Sequence, residues 1–109
     1  DNLSALKAIL ESTRKSDINT LIYIAPIRND VEIPYSAQEY EVFKGEVELL
    51  AEKYNANFTN LENLIEPSFW GMKDSTTVAN TPELDFMHFR FEGHQTLASK
   101  IFQLTQIKN

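Results

Sequence analysis

The chain has 109 residues, a length that fits one domain or a part of one. Its composition, 42% hydrophobic and 24% charged, is typical of a folded globular protein and not of a disordered segment. A net charge of −6 argues against nucleic acid as a partner, because phosphate binding requires a basic surface, and the absence of cysteine excludes disulfides, thiol catalysis and Cys-containing zinc sites.

The N-terminal part predicts a helix followed by a buried strand. Apolar residues recur at helical spacing over residues 2–15, which predicts a helix with one buried face. These residues are Leu3, Leu6, Ile9 and Leu10. Residues 20–25 then form a continuous apolar run that Pro26 closes, the pattern of a strand covered on both faces. The pattern indicates a parallel sheet with helices on either side.

The middle of the chain predicts a second helix and a second strand. Ser36 and Glu39 have the spacing of a capping box, in which each side chain satisfies a backbone donor of the other residue at a helix N-terminus. Helical spacing continues to Tyr54, and residues 58–61 can form a short strand. The loop of residues 26–36 would lie at the end of the first strand, where open α/β sheets bind their ligands.

The C-terminal half predicts a long loop and a last helix. From Glu62 to Leu84 the apolar residues follow no regular spacing, and helical spacing of apolar residues returns from Gly93 to about Ile107. Two strands alone make a marginal sheet, so we expect a homo-oligomer or an association with a missing N-terminal half. The start at Asp1 without methionine makes us expect a piece of a longer protein. No apolar run reaches the roughly 18 residues that a membrane helix requires.

Asp85 and His88 are the residues best suited to chemistry. They lie three positions apart just before the predicted last helix, close enough for one turn to bring carboxylate and imidazole together. An aspartate that accepts a hydrogen bond from one imidazole nitrogen fixes the tautomer, while the other nitrogen takes the proton of an attacking serine hydroxyl. The pair therefore fits the base and orienting group of a nucleophilic site, although the same spacing also occurs in helix caps and surface ion pairs.

The residues that follow this pair extend the pattern into a longer block. In chain order, the block consists of Asp85, His88, Gly93, His94, Leu97 and Ala98. It resembles the last block of SGNH (GDSL-type) hydrolases and acyltransferases, in which an Asp-x-x-His closes the triad and a Gly-His or Gly-Tyr pair opens the C-terminal helix. The upstream order of predicted helices and strands also fits that family. Its Gly-Asp-Ser nucleophile block and its oxyanion-hole blocks are absent from these residues.

The resemblance implies a fold and an activity. The implied fold is α/β with a three-layer, flavodoxin-like parallel sheet, of which residues 1–109 form the C-terminal half of one domain. The implied activity is that of a serine-dependent ester hydrolase or O-acyltransferase, to which the chain supplies Asp85 and His88 without a metal or another cofactor. The expected substrate is a small acyl ester or an acylated carbohydrate of the cell envelope, and the expected location is the periplasm or cell surface.

Two aromatic residues in the predicted loop are candidates for substrate binding. Phe69 and Trp70 could wall an acyl or sugar pocket, because aromatic rings provide rigid apolar area beside a polar site. Residues 67–71, which contain them, resemble the envelope-modifying branch of the family. The alternative for Trp70 is that its ring pins the loop to the core.

Other interpretations of the last block stay open. In a noncatalytic α/β interaction module, Asp85 and His88 would only cap the last helix. A metal site would gather Asp85, His88, Glu92 and His94 as oxygen and nitrogen ligands. His94 by itself fits local packing or a local hydrogen bond beside Gly93 at the start of that helix.

Overall fold

The computed structural model describes residues 2–32, 35–73 and 83–106, and gives residues 72–73 and 83–87 by their backbone alone. The chain divides into two compact units, Asp1–Ile24 with Ile33–Leu61 and Ala25–Glu32 with Glu62–Asn109. The elements in chain order are α1 (Asn2–Lys15), β1 (Leu21–Ile24), α2 (Ala37–Lys53), β2 (Asn57–Asn60), a 3₁₀ turn (Pro67–Phe69), β3 (Trp70–Lys73), β4 (Glu83–Phe89) and α3 (Phe91–Gln106). The protein is thus a mixed helix and strand chain.

The first unit combines α1 and α2 with a parallel pair of strands. β1 pairs with β2 in register from Leu21 opposite Asn57 to Ile24 opposite Asn60. The buried apolar side chains of this unit are Leu10, Ile24, Val47, Ala51 and Leu61. The predicted parallel pairing is confirmed for these two strands, and the predicted bounds of both helices and both strands agree with the structure to within about one residue.

Local backbone chemistry sets the ends of the two helices. The Ser36 hydroxyl accepts a hydrogen bond from the Glu39 backbone amide at 3.2 Å, which confirms the predicted cap of α2. Asp17, with φ 56°, follows α1, and Asn55, with φ 57°, follows α2. A left-handed residue directly after a helix ends it, and aspartate and asparagine tolerate that conformation better than most residues do.

The predicted coverage of β1 on both faces is wrong. Only Ile24 is buried, whereas Leu21, Ile22 and Tyr23 each keep part of their surface exposed. Within the described residues, β1 lies in a sheet of two strands, and two strands cannot enclose one another. The three-layer parallel sheet therefore stays a prediction.

The second unit contains an antiparallel hairpin and α3. β3 pairs with β4, with Trp70 opposite Phe89 and Lys73 opposite Glu83. The expectation of one unstructured loop over residues 62–84 is therefore wrong, since the 3₁₀ turn, β3 and the start of β4 lie within it. A four-residue strand containing a glycine gives no periodic signal, and its pairing depends on tertiary context. None of the described helices is long and apolar enough to cross a membrane.

Candidate active site

Asp85 and His88 both lie on β4, at a shift in its pairing with β3. Trp70 pairs with Phe89 and Met72 pairs with Leu84, so two steps along β3 correspond to five along β4. Residues 85–88 therefore bulge opposite a single β3 residue, Gly71. The expected turn between Asp85 and His88 is wrong, because this backbone belongs to a strand.

The structure leaves the contact within the pair as a prediction. His88 is exposed on β4. The side chain of Asp85 lies outside the described part of the chain. The predicted hydrogen bond between the Asp85 carboxylate and the His88 ring, at about 2.6 to 3.2 Å, therefore stays a prediction.

A buried arginine connects the loop after β1 to the residue opposite the bulge. Arg28 is 7% exposed, and its Nη1 donates to the Gly71 carbonyl oxygen at 2.7 Å. Its Nε donates to Asp30 Oδ1 at 2.8 Å and its Nη2 donates to Asp30 Oδ2 at 3.3 Å. Such two-point pairing fixes the guanidinium plane, so Arg28 holds the backbone of β3 at the position facing residues 85–88.

The charges of Arg28 and Asp30 neutralise one another. The hydrogen bond from Arg28 holds the pKa of the Asp30 carboxyl below its ordinary value. Asp30 is therefore ionised through the physiological pH range and neutralises the buried guanidinium. Beside it, the Asn29 side-chain amide donates to the Asn63 side-chain oxygen at 3.0 Å, which joins the two loops at the surface.

Gly93 permits close packing between β4 and α3. A side-chain carbon at this buried position would lie 2.8 Å from the Phe89 Cβ and Cδ2 atoms, closer than real carbon atoms approach. The Arg90 amide also donates to the Phe69 carbonyl, at 2.6 Å, immediately before α3 begins. Tight packing and this hydrogen bond fix the start of α3 shortly after His88.

The rings of Trp70, Phe89 and His94 form a continuous contact. Trp70 and Phe89 meet edge to face at 5.2 Å between centroids, and Phe89 and His94 lie 4.5 Å apart. Trp70 is 3% exposed, so its ring packs in the core, as the alternative for this residue proposed. His94 is exposed but rests against Phe89, which supports its local packing role. Phe69 keeps an exposed part and lines an open groove along α3.

Among the described side chains, no group of three or more His, Asp or Glu residues could hold a metal ion. The metal interpretation of the last block includes the Asp85 carboxylate, which lies outside the described side chains.

The sequence placed the loop of residues 26–36, which contains Arg28 and Asp30, at the ligand-binding end of the first strand, but it did not predict the contacts that these two residues make. Their spacing in a loop after an apolar strand was a signal for an internal ion pair, yet the Gly71 acceptor is 43 residues away and left no local signal. Phe89 was also missed as the ring that connects Trp70 with His94. Comparison of the chain with family models, curated proteins and solved structures gives no match to any of them.

Proposed function

We propose that this chain contributes the base and orienting group, His88 and Asp85, of a serine-dependent ester hydrolase or O-acyltransferase. The observation that carries the proposal is a block of residues, in the same sequence order as in that family, that begins with this pair and continues into α3. Its members are Asp85, His88, Gly93, His94, Leu97 and Ala98. The nucleophilic serine and the oxyanion-hole groups would come from residues outside these 109.

The chemistry requires an accessible imidazole with a fixed tautomer. One nitrogen of His88 would accept the serine proton as the hydroxyl attacks the acyl carbon, and would later return it to the leaving oxygen or pass it to the acceptor. The carboxylate of Asp85 would accept a hydrogen bond from the other nitrogen and stabilise the imidazolium that forms. The exposure of His88 is consistent with this role.

The surroundings of the pair support the proposal through the contacts that hold the neighbouring backbone. A catalytic base must be held within a few tenths of an ångström of its working position, which takes support from neighbouring residues. The segment that carries the pair ends against α3 at Gly93, and the opposing carbonyl of Gly71 is held by the buried Arg28. The first contact restricts the backbone that follows residues 85–88, and the second restricts the β3 residue that faces them.

The proposed substrate is an acyl ester on a carbohydrate of the cell envelope, and the proposed location is the periplasm or cell surface. The resemblance to the SGNH family and to its envelope-modifying branch supports both. The net charge of −6 disfavours highly anionic acceptors, because the field of the protein would repel them.

The test uses both the chain and the longer protein that the proposal requires. The chain alone should hydrolyse p-nitrophenyl acetate no faster than free imidazole does, because base and orienter without a nucleophile form no acyl-enzyme. In the longer protein, His88→Ala and Asp85→Ala should each lower kcat by several orders of magnitude, the aspartate change being the milder. Gln106→Ala, an exposed change at the end of α3, should have no effect. Activity that ignores both substitutions would refute the proposal.

A noncatalytic α/β interaction module is the second candidate. The observation that favours it is the exposure of large apolar side chains, with Leu49 67%, Phe91 70% and Phe102 66% exposed. A gene that encodes no Gly-Asp-Ser block upstream of residue 1 would select the module. Such a block after an apolar strand would select the enzyme.

A further inference from the structure

An open groove of about 690 Å³ lies in the second unit, between the segment that precedes β3 and the helix α3. Leu64 and Phe69 form one wall. The other wall is a row of α3 side chains from Glu92 to Gln103, which spans roughly 16 Å at the helical rise per residue. The volume is within the range of small-molecule sites, and the length suits a chain-like ligand.

The two walls differ in chemistry. Phe69 and Leu64 offer partly exposed apolar surface. Opposite them, Gln95, Ser99 and Gln103 present groups that can both donate and accept hydrogen bonds. In the part of the chain that the structure describes, these three side chains hydrogen-bond to no protein group. They are therefore available to a ligand that carries both donors and acceptors.

The charge of the lining selects among such ligands. Glu92 and Lys100 are the two charged residues of the groove, one of each sign. They stand eight residues apart on α3, roughly 12 Å, too far to pair with one another. The groove therefore has no net charge and gives no advantage to a polyanion or a polycation.

We propose that this groove binds a neutral glycan segment. The apolar face of a sugar ring would stack on Phe69, and its hydroxyls would exchange hydrogen bonds with Gln95, Ser99 and Gln103. The inference rests on the proposed function in that the glycan would be the acylated carbohydrate on which the enzyme acts. It goes further by assigning the binding residues and the neutral character of the ligand.

The experiment titrates the ¹⁵N-labelled chain with xylohexaose, cellohexaose and N-acetylchitohexaose, and with an oligomannuronate of equal length as the acidic comparison. At least one neutral oligosaccharide should shift the side-chain amide signals of Gln95 and Gln103 saturably. Phe69→Ala should weaken binding about tenfold through the lost stacking contact. Phe102→Ala removes an exposed ring of α3 that lies outside the groove, and it should leave the affinity unchanged.

Side-chain amides provide a second matched pair. Gln95→Ala combined with Gln103→Ala should weaken binding, whereas Gln106→Ala, which lies outside the groove, should not. Retained dispersion of the amide spectrum would show that each variant is folded. Three outcomes would overturn the inference: no saturable shift with any neutral oligosaccharide, tighter binding of oligomannuronate, or an affinity that Phe69→Ala does not change. A polar peptide is titrated as a further comparison. Shifts produced by the peptide alone would assign the groove to a protein partner and would also overturn the inference.

Failure of this inference and failure of the proposed function are separable. Glycan binding is measured on the chain without turnover, and His88 does not line the groove, so His88→Ala should bind glycan as the unchanged chain does. Glycan binding in a protein without esterase activity would leave the inference standing and refute the proposed function. Esterase activity in a protein that does not bind glycan at Phe69 would leave the proposed function standing and refute the inference.

Discussion

Gly93 is the residue on which the docking of α3 against β4 depends most directly. A methyl group at this position would meet Phe89 at 2.8 Å, and Phe89 itself contacts both Trp70 and His94. The glycine of the sequence block thus has a packing role that holds whether or not the block is catalytic. Gly45 in α2 is the opposite case, because nothing lies within 4 Å of a carbon added there.

Alanine substitutions at these two glycines should have opposite effects on stability. Gly93→Ala should lower the free energy of unfolding by about 1 to 3 kcal/mol through overpacking, less the part that the better helix propensity of alanine returns. Gly45→Ala should raise it by roughly 0.5 to 1 kcal/mol, because alanine loses less backbone entropy in a helix. Urea unfolding of both variants checks the pair. Equal effects of the two changes would show that α3 does not pack on Phe89 in this way.

The Arg28–Asp30 pair makes a prediction about pH. Since the hydrogen bond from Arg28 lowers the pKa of Asp30 in the folded chain, the pair stabilises the fold above the ordinary pKa of aspartate. That stabilisation is lost as the pH falls through the lowered folded-state pKa. Carboxyl ¹³C shifts should give Asp30 a midpoint below the ordinary aspartate range, and Arg28→Lys should raise that midpoint. Arg14→Lys is the control and should leave the midpoint unchanged, because Arg14 Nη1 donates to the Lys53 backbone carbonyl oxygen and Arg14 makes no bond to Asp30. An Asp30 midpoint that Arg28→Lys does not move would contradict the assigned cause.

Among the elements, α2 shows how far local sequence determines local structure. Ser36 accepts a hydrogen bond from the Glu39 amide, as the capping pattern predicted, and the helix continues to Lys53. Phe43 lies four residues before the buried Val47 and so shares its helical face, yet Phe43 is 42% exposed. A helical pattern therefore predicts that a helix forms, but it does not predict which of its apolar side chains are buried.

The cap of α2 carries a prediction at this scale. Ser36→Ala removes the acceptor for the Glu39 amide and should lower the free energy of unfolding by about 0.5 to 2 kcal/mol. Ser12→Ala replaces an exposed serine within α1 and should have little effect or slightly stabilise. Thermal and urea unfolding followed by circular dichroism compare the two variants. A loss of stability no larger in Ser36→Ala than in Ser12→Ala would show that the cap does not stabilise α2.

The hairpin of β3 and β4 marks the limit of sequence prediction for the fold and the site. Helices such as α1 follow from a pattern repeated over several turns, which even one sequence displays. β3 has four residues, and its partner begins ten residues later, so its existence depends on pairing rather than on pattern. The bulge at residues 85–88 has the same origin, because a register shift is a property of two strands. The sequence therefore names the residues of the candidate site, which stay a prediction, whereas it did not predict the strand and the bulge that carry them.

At the scale of the whole molecule, the main question is what covers the exposed apolar surface of the first unit. Three residues of β1 remain partly exposed, and several large apolar side chains of the helices and turns are more than half exposed. These side chains are Ile9, Ile18, Val42 and Leu49, exposed by 57%, 58%, 55% and 67%. Removal of such surface from water favours association by roughly 25 cal/mol per Å² of apolar area, a gain from which the entropic cost of association is subtracted.

We therefore predict that the chain self-associates through the first unit. Sedimentation equilibrium over a wide concentration range should give a mass that rises above 12.5 kDa toward that of a dimer or a higher oligomer. Leu49→Gln removes the most exposed of these apolar side chains and should shift the equilibrium toward the monomer. Glu48→Gln, a neighbouring exposed position on the same helix, changes charge without removing apolar surface and should retain the association. A chain that stays monomeric at high concentration, with native circular dichroism, would show that this unit is self-contained and would favour the interaction module over the incomplete enzyme.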